Sequence, residues 1–282
     1  MLSNLKRYFR PKSIPEALAL LEKNSGSILV IAGGTKLVPS QNDIVQELVD
    51  ITSLQLSYIH ENAGEIRVGA TTTLQTVVEG PALTQTTGGL VSRAAQLSHR
   101  SKMIRNMATL GGELVSTGPL SVLYCALLVL QAQVRIAGGE EFALAMNIFL
   151  NKKGLSGGLL VEIIIPKPST PSFAAMVPIC HQNQNALICA CARVTLDKGT
   201  CQDVKLAITG TARVPQRLSA AEHALEGRSL TGANIESTAE TACDVYKPIS
   251  DDLASEEYRK EVSRGLVKKT LEQCLEQAEQ EL

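Results

Sequence analysis

The sequence contains two short glycine turns, Ala32-Gly33-Gly34-Thr35 and Thr109-Leu110-Gly111-Gly112. The first turn follows Ile28–Ala32, an apolar run typical of a buried strand. The second turn lies in the polar stretch 106–117, which predicts a loop. Because glycine has no Cβ, backbone N–H groups in such turns can approach the pyrophosphate of a dinucleotide closely. Either turn alone would also fit an ordinary tight turn.

The residues beside the turns favour a binding role. Thr35 and Thr109 each place a hydroxyl donor next to a glycine pair, so two separate loops could hold one pyrophosphate from opposite sides. The sequence has neither the Gly-x-Gly-x-x-Gly pattern of a Rossmann site nor the Gly-x-x-x-x-Gly-Lys-Ser/Thr pattern of a P-loop. A nucleotide would therefore bind in another way. We find no Ser/His/Asp set in a supporting context, and we predict no catalytic residue.

The composition is that of a globular protein long enough for more than one core, with 282 residues, of which 44% are hydrophobic and 20% charged. A formal net charge of -1 and the absence of tryptophan argue against nucleic acid as a partner. The start of the chain lacks the apolar core of a signal peptide, and no apolar run is long enough to span a bilayer. We therefore expect a cytoplasmic protein without a membrane partner.

The cysteines argue for a reduced, metal-free chain. Seven are present, an odd number, and no two form a CxxC pair. This pattern does not suit a disulfide framework, a structural zinc site or an iron–sulfur cluster. We expect free thiols and no metal ligand.

Hydrophobic periodicity divides the chain into three parts, 1–53, 54–172 and 173–282. The first part combines a helix with short strands, and the second combines strands with several helices. The third part changes to a meander of strands and ends in a long helix from about Ser255. The expected fold class is α+β.

Five segments of the chain occur in the order Phe9–Ser13, Ala32–Leu37, Ile66–Thr72, Ile104–Gly112 and Ser255–Arg259. In this order they resemble the FAD-binding subunit of the xanthine dehydrogenase and carbon monoxide dehydrogenase family of molybdenum hydroxylases. The match covers nearly the whole chain. It places both glycine turns where the family has its FAD pyrophosphate loops.

The resemblance implies a two-part FAD-binding domain of the vanillyl-alcohol-oxidase/enolpyruvyl-glucosamine-reductase type, followed by a small C-terminal α+β domain with an antiparallel sheet. It also implies that FAD passes electrons between iron–sulfur clusters in one partner subunit and an acceptor, commonly NAD. A further subunit with the molybdenum cofactor would transform the substrate. This chain would position the flavin and tune its electronics.

The resemblance further implies which residues bind FAD. Backbone donors are expected in both glycine turns, and hydroxyl donors at Thr35, Thr109 and Ser116. Leu114 and Leu160 are expected near the flavin ring. The full predicted set is Ile31, Ala32, Gly33, Gly34, Thr35, Lys36, Leu37, Thr109, Gly111, Gly112, Glu113, Leu114, Ser116 and Leu160.

Several positions depart from the family pattern. Lys36 stands where relatives usually have an acidic residue, and Glu113 stands where they have Asn. Val122 replaces the carboxylate that usually binds a ribose. Lys36 and Glu113 would form an ion pair if the two turns converge. Similar replacements occur in a branch associated with selenium-dependent purine hydroxylases, and we place the chain there as a hypothesis. Arg105, before the second turn, would either contact a phosphate or form a structural salt bridge.

Two other functions remain open from the sequence. The first is a scaffold subunit of the same complex that kept the fold and lost the flavin, because the changes at Lys36, Glu113 and Val122 all affect the expected site. The second is a free-standing flavin reductase that oxidises NAD(P)H without a partner. The additional C-terminal unit and the lack of an identifiable substrate-site acid argue against this second alternative.

Overall fold

The computed structural model describes residues 2, 4–23, 27–40, 43–116, 118–138, 142–149, 158–180 and 186–281. These ranges form three β-sheets with accompanying helices, and the two larger sheets are antiparallel. The expected α+β class is therefore confirmed. None of the helices in these ranges is both long enough and apolar enough to cross a membrane.

The first sheet is parallel and carries the first glycine turn at the end of one strand. Its strands, in the order β1-β3-β2, are β1 (Arg7–Phe9), β2 (Ile28–Ile31) and β3 (Glu47–Asp50). Helix α1 (Ile14–Glu22) leads from β1 to β2, and the Ser13 hydroxyl caps it by accepting the N–H of Glu16. The predicted first helix and the predicted strand before the turn are both confirmed.

The second sheet is antiparallel, with the strand order β4-β5-β8-β6-β7. Its strands are β4 (Ile59–Glu61), β5 (Glu65–Gly69), β6 (Gln133–Ala137), β7 (Phe142–Ala145) and β8 (Leu159–Pro166). Its helices are α2 (Leu74–Glu79), α3 (Pro81–Gln85), α4 (Leu90–Ser98), α5 (Lys102–Arg105), α6 (Leu110–Val115), α7 (Val122–Val129) and α8 (Met146–Phe149). The second glycine turn lies at the start of α6.

The third sheet is also antiparallel, with the order β12-β11-β10-β9. Its strands are β9 (Ser172–Cys180), β10 (Ala186–Asp197), β11 (Thr200–Ile208) and β12 (Gln216–Arg217). Three helices follow them, α9 (Ser219–Leu225), α10 (Gly232–Val245) and α11 (Glu256–Glu281). The predicted meander and the long final helix are confirmed.

Helix α7 joins the second and third sheets into one structure. Every residue from Val122 to Val129 is buried, which suits a helix that is apolar on all sides. It contacts α4 on one side and β10 and β11 on the other. Its first turn is capped by Ser121, whose hydroxyl accepts the N–H of Tyr124 at 3.2 Å.

The prediction of a loop over 106–117 is wrong in its centre, because residues 110–115 form α6. The Thr109 hydroxyl caps this helix by accepting the N–H of Gly112 at 3.2 Å. Leu110 and Leu114, one helical turn apart, are both fully buried. A cap and an apolar pair therefore outweigh the low helix propensity of two adjacent glycines.

Candidate functional site

A cleft of about 740 Å³ lies where the two glycine turns meet. All predicted site residues except Leu114 line it. Leu114 is fully buried in the core of the second sheet, with no exposed surface. The cleft is large enough for a cofactor, since small-molecule sites usually occupy roughly 300–1,000 Å³.

Steric contact and backbone conformation require both glycines of the first turn. A Cβ on Gly33 would lie 1.8 Å from the carbonyl oxygen of Met107, so this turn packs directly on the backbone before the second turn. Gly34 has a φ of +68°, in the left-handed region that favours glycine. The first turn is thus brought up against the second by a direct contact with the backbone that precedes it.

The second turn is held against the end of β5. The N–H of Gly111 donates to the carbonyl oxygen of Ala70 at 2.9 Å, and a Cβ on Gly111 would come within 2.8 Å of that oxygen. The N–H of Gly112 is bound by Thr109 as described above. The expected backbone donors of this turn are therefore already engaged within the chain.

The first turn presents the available donors. In the described part of the chain, the N–H groups of Gly33, Gly34, Thr35 and Lys36 donate no hydrogen bond to another residue. A set of adjacent N–H groups on the wall of a cleft is a suitable cradle for an anionic oxygen. The arrangement predicts that a bound anion receives more backbone hydrogen bonds from the first turn than from the second.

An ion pair crosses the cleft between the turns. The Lys36 Nζ lies 2.8 Å from Oε1 of Glu113, as the sequence predicted for converging turns. The other carboxylate oxygen, Oε2, lies 3.1 Å from Nε2 of His99, at the end of α4. Glu113 is 7% exposed. Three separate elements therefore meet at one buried carboxylate.

The surroundings of Glu113 keep its carboxyl ionised. Burial raises the pKa of this group, but the hydrogen bond with His99 and the charge of Lys36 outweigh burial. The net result is a pKa below the ordinary glutamate value. Glu113 is thus a fixed negative charge at neutral pH, not a proton donor.

A second cavity of about 280 Å³ adjoins the first. Lys36, Glu113 and Ser116 line both cavities and mark the boundary between them, which we call the neck. Residues 118–122 line its far side, including Val122, and Ala186 of β10 closes it from the third sheet. The N–H of Gly210 donates to the carbonyl oxygen of Pro119 at 2.9 Å, which ties the third sheet to this wall.

Arg105 does not point into the cleft. Its side chain is buried and donates to Oε1 of Gln75 at 2.9 Å and to the carbonyl oxygens of His99 and Arg100 at 2.6 and 2.7 Å. The sequence left open whether Arg105 contacts a phosphate or has a structural role, and these hydrogen bonds favour the structural role. Arg105 holds the chain before the second turn through neutral acceptors and forms no salt bridge in the described structure.

Sequence reasoning missed most of the apolar wall of the larger cavity. The lining residues that it did not name are Leu21, Glu22, Ile28, Leu29, Val30, Ile51, Ala70, Val115, Gly158 and Leu159. Ala70 was within the quoted segment Ile66–Thr72, and its place beside the second turn was the signal that could have identified it. The strand residues Ile28 to Val30 carried only the signal of a buried strand.

The two cavities fit a ligand with two bulky ends and an anionic middle. The larger cavity has mostly apolar walls, suited to a flat aromatic ring system, and the smaller one combines serines with apolar residues such as Leu97 and Val122. The unengaged N–H donors of the first turn line the larger cavity, and Lys36 lines both. A dinucleotide has this shape and this charge distribution. The described residues contain no group of three or more side chains that could hold a metal.

Comparison with known protein families gives two adjoining matches. Residues 3–168 match the FAD binding domain in molybdopterin dehydrogenase. Residues 177–274 match the CO dehydrogenase flavoprotein C-terminal domain. The first match alone covers more than half of the chain.

Individual relatives match over almost their whole length. The chain is 29% identical to the 6-hydroxypseudooxynicotine dehydrogenase complex subunit alpha of Paenarthrobacter nicotinovorans, over 96% of this chain and 95% of that one. It is 25% identical to the carbon monoxide dehydrogenase medium chain of Afipia carboxidovorans, over 95% and 96%. A chain of the solved carbon monoxide dehydrogenase of Hydrogenophaga pseudoflava has the same fold, with a TM-score of 0.89, 23% identity and coverage of 98% and 99%.

Proposed function

The chain belongs to the family of FAD-binding subunits of the molybdenum hydroxylases, and on that premise we propose that it transfers electrons between iron–sulfur clusters of a partner subunit and an acceptor such as NAD. The observation that carries the proposal is the cleft at the junction of the two glycine turns, with its row of unengaged N–H donors. FAD, when bound, supplies the electron-carrying chemistry. The chain supplies the site.

Different residues of the cleft would bind different parts of FAD. The N–H groups of the first turn would bind the pyrophosphate, with Thr35 and Thr109 adding hydroxyl donors. Leu160 and the apolar wall around it would cover the flavin ring and exclude water. Glu22 and Glu113 are the carboxylates among the described lining residues, and Glu113 is already bound to Lys36 and His99. The chain would therefore orient the flavin without an acid or base of its own.

The proposal includes an assembly. The relatives are named as a complex subunit and as a medium chain, so each belongs to a larger protein. For this chain we expect an iron–sulfur subunit and a molybdenum-cofactor subunit as partners in the cytoplasm. The position in a branch associated with selenium-dependent purine hydroxylases belongs to the same proposal and is supported by Lys36 and Glu113.

Purification of the chain from its native source tests the proposal. We expect an iron–sulfur subunit and a molybdenum-containing subunit to co-purify with it, together with one FAD per chain. The complex would then be mixed rapidly with reduced substrate and NAD, and electron transfer would be followed by the absorbance of the flavin. A folded chain that stays colourless with excess FAD would count against flavin binding. A yellow chain that purifies without partners and oxidises NAD(P)H by itself would support the flavin reductase instead.

The geometry argues against the flavin-free scaffold. The Lys36 and Glu113 side chains bind each other, and among the described residues the N–H groups of the first turn remain unengaged on the wall of the cleft. Gly111→Val would be a poor test of the scaffold, since a Cβ at Gly111 meets Ala70 at 2.8 Å and would disturb the fold itself. The flavin content of the intact complex distinguishes the two functions directly.

A further inference from the structure

Lys36 has a singular place among the charged residues of the site. Of the described residues that line the two cavities, it is the one with a cationic side chain. The other charged lining residues are Glu22 and Glu113. Arg105, the nearby alternative, is turned into the protein and bound to Gln75 and two carbonyl oxygens.

The position of Lys36 coincides with the middle of any ligand that fills both cavities. Lys36, Glu113 and Ser116 form the neck, and the larger and smaller cavities lie on its two sides. A molecule with one end in each cavity would pass beside these three residues. In FAD the part between the two ends is the pyrophosphate, which is doubly anionic.

The ammonium group is held in place and still has capacity to bind. Its contact with Glu113 at 2.8 Å uses one of three N–H donors. Glu113 is fixed in turn by burial and by His99 at 3.1 Å. The Lys36 side chain remains 40% exposed at the neck, so it is accessible to a ligand. A cation anchored in this way loses little side-chain entropy when an anion arrives.

We infer that Lys36 binds the pyrophosphate of FAD at the neck and supplies the positive charge of the site, with Glu113 and His99 holding the ammonium in position. This inference rests on the proposed function, because it requires FAD in the cleft. It assigns a binding role to a residue that departs from the family pattern.

The test compares FAD with riboflavin, which lacks phosphate. The dissociation constants of both are measured by flavin fluorescence quenching for the wild-type chain, K36M, K36R and the control K102M. Lys102 forms an exposed ion pair with Glu79 and lines neither cavity, so K102M makes the same chemical change away from the site. Circular dichroism and thermal unfolding check that each variant is folded.

We expect K36M to weaken FAD binding roughly 10-fold or more, the usual loss for a charge-assisted hydrogen bond. K36R and K102M should stay close to wild type, and riboflavin binding should be the same in all four proteins. The dependence of the FAD dissociation constant on salt should also become shallower in K36M, because one ionic contact is lost. This second readout does not require measurable riboflavin binding.

The possible failures can be told apart. If wild type binds FAD and K36M binds it equally tightly with the same salt dependence, the role of Lys36 is wrong and the proposed function stands. If K36M loses FAD and riboflavin to the same extent, the side chain shapes the cavity and does not bind the pyrophosphate. If folded wild type binds no flavin, both the proposed function and this inference are wrong.

Discussion

The carbonyl oxygen of Met107 occupies the place that a Cβ on Gly33 would require, at a separation of only 1.8 Å. The first turn of the flavin cleft therefore packs directly on the backbone that leads into the second turn. The size and shape of the cleft depend on this contact.

Gly33→Ala should separate the turns. The obstructing atom belongs to a backbone and cannot rotate away, so we expect a loss of about 2 kcal/mol or more in the free energy of unfolding. FAD affinity should fall as well. Urea unfolding and flavin titration measure the two effects. Gly265→Ala is the control, because a Cβ there meets nothing within 4 Å and the site lies inside α11. It should stabilise the chain by roughly 0.5–1 kcal/mol, and a similar gain at Gly33 would contradict the structure.

Thr109→Val should reduce both stability and FAD affinity. It removes the cap of α6, at a cost of about 1 kcal/mol, and it also removes a hydroxyl that lines the cleft. Thr231→Val is a matched control, since Thr231 caps α10 and does not line either cavity. The control should lose stability and keep flavin binding. Equal FAD affinity in the two variants would argue that the Thr109 hydroxyl does not contact the cofactor.

Glu113→Gln should flatten the dependence of stability on pH. The pKa of Glu113 in the folded chain lies below its ordinary value, so its contribution is present at neutral pH. That contribution is lost as the pH falls through the ordinary glutamate value near 4.3 and on through the folded pKa. At pH 7 we expect the variant to be less stable by about 1 kcal/mol or more.

The measurement is chemical unfolding of wild type and E113Q at a series of pH values from 7 downward. The difference in unfolding free energy should shrink as the solution becomes more acidic. Glu61→Gln is the control, because Glu61 forms an exposed pair with Lys167 that water screens. A difference for E113Q that stays constant or grows toward acid pH would show that the carboxylate is not stabilised by its ionic partners.

Arg259→Met should destabilise the C-terminal part strongly. Arg259 is fully buried, and its guanidinium donates two bonds of 2.8 Å to the carboxylate of Asp251 and one of 3.2 Å to the carbonyl oxygen of Leu187. The variant leaves the carbonyl oxygen of Leu187 without its donor, and the loss of the charged hydrogen bonds to Asp251 adds to this, so we expect a cost of roughly 1–3 kcal/mol. Arg264→Met, which removes an exposed pair with Glu236, should cost far less because water screens that pair. Thermal unfolding of the two variants distinguishes them, and similar melting temperatures would contradict this account.

Much of the fold could be predicted from sequence periodicity. The helices α2 and α4, the long α11 and the strands on both sides of the turns have apolar spacings that suit one kind of element. Helix α6 could not be recognised in this way, because two glycines interrupt its pattern. Its stability comes from a cap and from tertiary burial of Leu110 and Leu114, which local propensity does not report.

The cleft contains nearly all of the residues that were predicted to bind FAD, but the structural reasons for several of them could not be predicted. The glycines were expected to admit a phosphate, whereas Gly33 and Gly111 are needed because other parts of the chain come within 3 Å of them. Such contacts involve residues distant in sequence and leave no local signal. The ion pair of Lys36 and Glu113 could be anticipated because the family pattern brings the turns together and both residues carry unusual charges. The apolar wall of the cleft could not be anticipated, because a buried strand has the same composition whether it faces a core or a cofactor.

The contact between Gly33 and Met107 also bears on how this site can evolve. Because the atom that Gly33 meets belongs to the backbone, this contact does not depend on which side chains follow each glycine pair. Charge at the neck can then change by compensating substitutions on the two turns while the contact stays in place. Lys36 and Glu113 are such a pair, so the electrostatics of a flavin site can diverge without any redesign of its frame.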